Sequence, residues 1–242
     1  MSTIYGNKLN DELWWSDFER TLGEVDYDHL KKSDNGEALS AIKVENLLKN
    51  MLPPLFENWI RSLNTNIKKS DLLRINPESQ FFTFNYTLLL EQTYHVKNEN
   101  IWHIHNSIKD NDNIIVGHDS DGGTLLKHLQ SYNMSHPEAH IRPDIQDLIS
   151  QGVAKGAKKV KDRIELHKDR FYSYNKIKHF IAMGFSFNDI DMPYIKKIIE
   201  VNQDLANTDW VLYWHSDGED EVMKNKLIGL GVKAKNISCT NW

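Results

Sequence analysis

At 242 residues, with 40% hydrophobic and 26% charged residues, the chain has the composition of an ordinary globular protein. Its formal net charge of −5 gives no field to attract nucleic acid or an anionic membrane, and no apolar run approaches the roughly 20 residues of a membrane span. One cysteine, Cys239, excludes a disulfide framework and a cysteine-based zinc cluster; with no signal segment or lipidation motif at its start, the expected location is the cytoplasm.

Residues 1–10 are polar and carry no strand signal. Asp11 is placed to cap a short helix whose face is Leu13, Trp14, Phe18 and Leu22 and which ends at Gly23. Trp14 and Trp15 read as core packing. From Glu37 to about Lys69, Ala38, Ile42, Leu48, Leu52, Leu55, Trp59 and Leu63 recur at helical spacing. Pro53 and Pro54 donate no backbone hydrogen bond, so they must kink that helix or split it. Residues 1–76 are thus an N-terminal helical portion, closed by the turn Asn76-Pro77-Glu78-Ser79.

Phe81 to Phe84 is an aromatic and β-branched run suited to a buried strand. Asn85 ends it, and Tyr86 to Tyr94 carries Leu89, Leu90 and Tyr94 at helical spacing. After a polar break, Ile101 to Ile104 reads as a second strand. Strand, helix and strand within about thirty residues make a βαβ unit with parallel strands. Ligands bind beyond the carboxyl ends of such strands, and Asn85 and His105 both fall there. A polar turn follows, then Ile114 to Val116 as a short strand ending at Gly117.

Residues 119–142 read as irregular and polar, with a turn at Asp121-Gly122-Gly123, forming either a lid or an insertion. Asp144 to Tyr172 is helical. Between Lys155 and Arg170 it holds more Lys and Arg than Asp and Glu, which reads as a solvated face ahead of a nucleic-acid surface. Ile177 to Met183 is a strand leading into Gly184-Phe185-Ser186-Phe187-Asn188. Asp189 or Asp191 then caps a helix carrying Ile195, Ile198 and Ile199. Trp210 to Trp214 is a strand, Glu219 to Leu230 a helix ending at Gly231, and Lys235 to Cys239 the last strand. This alternation predicts an α/β fold with a parallel sheet. The chain reads as a single domain, 1–242, with its sheet core in 77–118 and 173–242 and a helical or irregular insertion at 119–172.

Phe84-Asn85-Tyr86-Thr87 with Glu91, then His103-Ile104-His105, then Ile115-Val116-Gly117-His118-Asp119, resemble the bacterial abortive infection (AbiH-like) family. Gly184-Phe185-Ser186 with Asp191-Met192-Pro193-Tyr194, and Trp15-Ser16-Asp17-Phe18-Glu19 near the start, fit it in the same order. More distantly, the core resembles the Rossmann-like, sirtuin-like nucleotide-binding fold, where an Asn after one strand and a His after the next act on the nicotinamide–ribose bond of NAD. Thr87 stands where the sirtuin-like pattern has Asp, and Asn106 where both patterns usually have Gly. The AbiH-like glycine loop near the start is also missing: Ile4-Tyr5-Gly6-Asn7 stands in for it, so the chain reads as truncated at its N-terminus.

The resemblance implies antiphage defence, in which a phage-derived trigger leads to cleavage of NAD or a related nucleotide. Asn85 would position water or ribose, and His105 would act as base. Thr83, Tyr86, Gly184, Ser186 and Asp191 would hold the nucleotide, the glycine and the helix start offering close backbone approach. Taken alone, Asn85 reads as a cap for the following helix and His105 as a structural histidine. Thr87, Asn106 and the missing glycine loop point instead to an inactive nucleotide- or partner-binding module. A metal-dependent hydrolase using His103, His105 and His118 with Asp119 is a third reading, since imidazole suits zinc. A homo-oligomer stays open.

Overall fold

The computed structural model describes residues 51–63, 67, 72–110, 114–118, 122–135, 142–155, 157–214 and 216–241. The expected helix from Asp11 to Gly23, the Ile4–Asn7 loop, the first part of the 37–69 helix, Asp119 and the Asp121 turn lie outside the described residues. The fold is α/β with parallel strands, and its contacts divide into two compact units, one within Glu19–Lys158 and the other within Lys159–Trp242.

The first unit begins with helix α1, Leu52–Ser62. Pro53 and Pro54 occupy its first turn, where the missing N–H groups have no intrahelical partner to lose; the residues on which a kink or a split would show lie outside the described residues. Phe56 and Ile60 form its buried face. Strand β1, Phe81–Thr83, pairs in parallel with β2, Ile101–His103, in the register Phe81 to Ile101 and Thr83 to His103. Asn100 sets the lower end of this pair. Its amide accepts from Gln80 at 2.9 Å and donates to the Pro77 carbonyl at 3.3 Å, tying the lead into β2 to the lead into β1.

The crossover helix α2 is short, Leu89–Gln92, where the spacing predicts Tyr86 to Tyr94. Residues 84–88 stay irregular because local bonds compete with the helix: the Asn85 N–H bonds to Thr83 Oγ1 at 3.1 Å, and Tyr86 is drawn into the core. Ile114 to Val116 is not a strand. Ile114 is buried, the Ile115 N–H bonds to the His105 carbonyl at 2.9 Å, and among the described residues the bridge nearby joins His118 to Ala157. Its apolar run reports burial, which periodicity alone cannot tell from a strand.

The segment 119–142, expected to be irregular, instead contains the helix α3, Gly122–Ser135, which pairs with α4, Pro143–Lys155. Leu125 and Leu129 pack with Ile145, Ile149 and Val153, with Tyr132 and Leu148 against them. The buried stripe is narrow, and an exposed Met134 lies off it, which hid the helix in the sequence.

The second unit holds α5, Val160–Leu166, and α6, Lys168–Tyr172, followed by β3, His179–Ala182. Helix α7, Met192–Val201, leads to β4, Asp209–Trp214, and α8, Glu219–Gly229, leads to β5, Ile237–Asn241. The three strands form a parallel sheet in the order β3-β4-β5, joined by helical crossovers as the sequence predicts. Phe180 and Trp210 stack across it at 4.5 Å, and Leu212 is fully buried. α8 packs on β4 through buried Met223 and Leu227, while α7 packs on α5 and α6, with Tyr194 stacked on Phe171 at 6.3 Å.

Candidate functional site

β1 and β2 end together, and the Ile104 N–H extends the ladder to the Thr83 carbonyl at 3.1 Å. The chain beyond each strand therefore leaves from one rim. Thr83 is half-buried, and its hydroxyl accepts the Asn85 N–H, turning the chain outward so that Asn85 is exposed. Asn85 does not cap the following helix: the N-cap position is Leu88, with no side-chain cap.

Tyr86 turns the other way. Its hydroxyl donates to the Ile115 carbonyl at 2.8 Å and its carbonyl accepts the Ile108 N–H at 3.1 Å. The ring lies edge-on to Phe56 at 5.1 Å and stacks on His105 at 6.3 Å. Tyr86 thus joins α1, the loop after β2 and the 114–117 segment, using the hydroxyl that a ligand would otherwise meet.

His105 is 1% exposed, with the Phe84 ring edge-on at 5.7 Å and the Tyr86 ring stacked at 6.3 Å. Asn106 follows with φ of 62°, in the left-handed region. That conformation explains the usual glycine at this position, and Asn is among the few side chains that tolerate it. The backbone turn is therefore kept here without the glycine.

Two side chains that the sequence reading did not combine meet at this rim. His103 Nε2 lies 3.0 Å from Glu91 Oε1, and His103 Nδ1 lies 2.6 Å from the Asn85 carbonyl. The His103 and Glu91 side chains are only 10% and 14% exposed. The Asn85 carbonyl can only accept, and so can Glu91 when ionised, so the two partners favour a ring protonated at both nitrogens. Burial opposes that charge, but the bonds to Glu91 and to the Asn85 carbonyl outweigh it and hold His103 above the ordinary imidazole range. Burial likewise pushes Glu91 upward, yet its bond to His103 holds it below the usual carboxylate value. The available signal was Glu91 and His103 standing together in the family-like pattern, one acidic and one basic.

Both His103 ring nitrogens are engaged, one by Glu91 and one by the Asn85 carbonyl. His118 is fully buried and its carbonyl accepts the Lys158 N–H at 2.9 Å. Among the described residues, no three His, Cys, Asp or Glu side chains gather as a metal site. Beside the rim lies a cavity of about 220 Å³, lined by Arg61, Thr87 and Gln92 with Ile60, Leu88 and Ile108. Arg61 is committed within it, bonding to the Ile108 carbonyl at 2.6 Å and to Glu57.

Gly184, Ser186 and Asp191 belong to the second unit, after β3. Gly184 has φ of 59° and Phe187 has φ of 53°, so two left-handed residues bracket an exposed Ser186. That conformation is costly for a bulky residue, of order 1–3 kcal/mol. Two features hold it: the Phe187 ring is fully buried, and Lys226 Nζ donates to the Phe187 carbonyl and to Asp189 Oδ1, each at 2.7 Å. Asp191 sits at the N-cap position of α7 and is buried, but its side chain makes no cap bond; the expected capping by its carboxylate is not seen. Sequence gave no sign of Lys226, which lies 39 residues from Phe187. Burial, then Asp220, raise the Cys239 thiol above its ordinary value, which disfavours the thiolate.

Among the described residues, no helix is long and apolar enough to cross a membrane. Compared with known families, residues 2–214 match the model described as bacteriophage abortive infection AbiH. Comparison with curated proteins and with solved structures gives no match.

Proposed function

The chain belongs to the bacteriophage abortive infection AbiH family, and from that membership we propose that it acts in antiphage defence by cleaving NAD or a related nucleotide at the β1–β2 rim. In hydrolysis, water forms a bond to the ribose carbon, the nicotinamide–ribose bond breaks, and nicotinamide leaves with the bonding pair. Asn85 orients the water or a ribose hydroxyl, and His105 receives the water's proton. Thr83 and Tyr86 shape the rim. Gly184, Ser186 and Asp191 belong to the second unit, after β3, and are proposed as nucleotide contacts of that unit by itself. The observation that carries the reading is that two parallel strands end level, with exposed Asn85 after one and His105 after the other.

One observation favours a second reading, nucleotide binding without turnover. His105 is 1% exposed and its ring lies against Phe84 and Tyr86, so a proton reaches it only if these aromatic side chains move.

The test is NAD loss and NAD binding by the purified chain, with Asn85→Ala and His105→Ala variants. Each is run with and without an extract of phage-infected cells as the source of a trigger. Turnover abolished by either substitution supports cleavage. Binding that needs Asn85 without turnover supports the second reading, and neither binding nor turnover overturns both.

A further inference from the structure

We propose that His103 is a positioning residue, whose ring locks the segment carrying Asn85 against α2 and so sets the shape of the nucleotide-binding rim. The first half of this stands on geometry alone; the link to a nucleotide rests on the function proposed above. His103 is the last residue of β2 and is paired with Thr83, so its backbone is fixed by the sheet. From that fixed base the ring reaches the Asn85 carbonyl on one side and Glu91 on the other. Residues 86–88 lie between these two anchors and have no regular secondary structure. The Asn85 N–H is held separately by Thr83, so two peptide groups flanking one exposed side chain are both tethered.

Among the described residues, the charged groups facing the ring are Glu91 on α2 and Asp110 beyond β2, with Lys109 on the Glu91 side. Asp110 is itself engaged, accepting from the Ser107 N–H at 2.5 Å and the Ser107 hydroxyl at 2.8 Å. Glu91 Oε1 accepts from the ring, while Oε2 is buried with no hydrogen-bond partner among the described residues. A buried carboxylate in that state depends on its imidazolium neighbour, so the pair is retained as a unit. His103 touches no reacting atom in this arrangement. It acts through Asn85.

The experiment uses the full chain and three variants, His103→Leu, His103→Gln and Asn85→Ala, plus the His103→Leu/Asn85→Ala double variant. In protein labelled with ¹⁵N-histidine, long-range imidazole spectra are expected to show both His103 nitrogens protonated near neutral pH. Hydrogen exchange of the Asn85 amide should speed up at least tenfold in His103→Leu and recover in part in His103→Gln, whose amide can still donate. For NAD affinity, His103→Leu is expected to lose about tenfold, and the double variant no more than Asn85→Ala alone.

An unprotonated ring nitrogen at His103, or unchanged exchange at Asn85 in folded His103→Leu, overturns the positioning role. Additive losses in the double variant overturn the claim that His103 acts through Asn85. If the parent chain binds no NAD, the nucleotide reading fails, while the imidazole spectra and the exchange rates still decide the lock. Should His103→Leu not fold, the same exchange and affinity comparisons are read on His103→Gln and Glu91→Gln, with faster Asn85 exchange and weaker NAD binding expected in both.

Discussion

The chemistry at the scale of single residues is set by burial and by what each polar atom can donate or accept. His103 and Glu91 titrate in opposite senses, which gives the molecule a pH dependence of stability. His103 is raised above its ordinary value of 6.5 in the fold, so its contribution is complete below that value and is lost as pH rises through the folded value. Glu91 is lowered below 4.5, so its contribution is complete above that value and is lost as pH falls through the folded one. The pair is therefore most stabilising between these ordinary values. Chemical denaturation across pH is expected to show stability declining above neutrality, by about 1.5–3 kcal/mol at most for a charge-assisted bond. In Glu91→Gln that alkaline decline should largely disappear. A parent chain whose stability is flat between pH 6 and 9 would contradict the assignment. Asn106 makes a different point at the same scale, because a backbone angle, and not a contact, decides which residues fit after His105.

Elements follow from how narrow or wide their buried faces are. β2 and β4 were legible because their apolar runs supply core residues, and β1 because of its aromatic run, although its residues are half-buried and not the buried strand expected. α3 was hidden, since among the described residues Leu125 and Leu129 are its only buried large side chains. Such a helix leans on a few contacts with α4, so each carries weight. Leu129→Ala is expected to cost about 2–5 kcal/mol, as removal of a completely buried leucine does, whereas truncating exposed Met134 on the same helix should change stability by less than about 0.5 kcal/mol. Urea denaturation of the two variants checks this, and equal small effects would mean that the α3–α4 pair contributes little to the cooperative unit. The loop after β3 is governed differently again: buried Phe187 and the Lys226 bonds hold a conformation that neither neighbouring element would impose.

For the whole molecule, function enters through family membership, and the fold narrows where the chemistry can sit. Fold and function remain separate questions here, because parallel strands with a polar rim host many reactions. Expression of the chain in a phage-sensitive bacterium is expected to lower phage plating efficiency by at least tenfold, with death of infected cells before progeny release. Asn85→Ala should remove that protection while leaving protein level and thermal stability near those of the parent, since Asn85 is exposed and its side chain supports no core contact. Protection that survives Asn85→Ala would move the functional site away from the β1–β2 rim.

The sequence by itself determined the α/β class, the parallel pairing across residues 81–103, the crossovers that order β3, β4 and β5, and the family, because each rests on local pattern or on motif order. It also located the rim, since residues that end neighbouring parallel strands must share an end. Only the tertiary structure decided that His103 bridges Asn85 and Glu91, that Tyr86 spends its hydroxyl on Ile115, and that Lys226 holds Phe187. These are contacts between residues from 12 to 39 positions apart, and they depend on where a side chain lands after the strands have paired. A one-dimensional pattern carries period and burial; it does not carry which atoms meet.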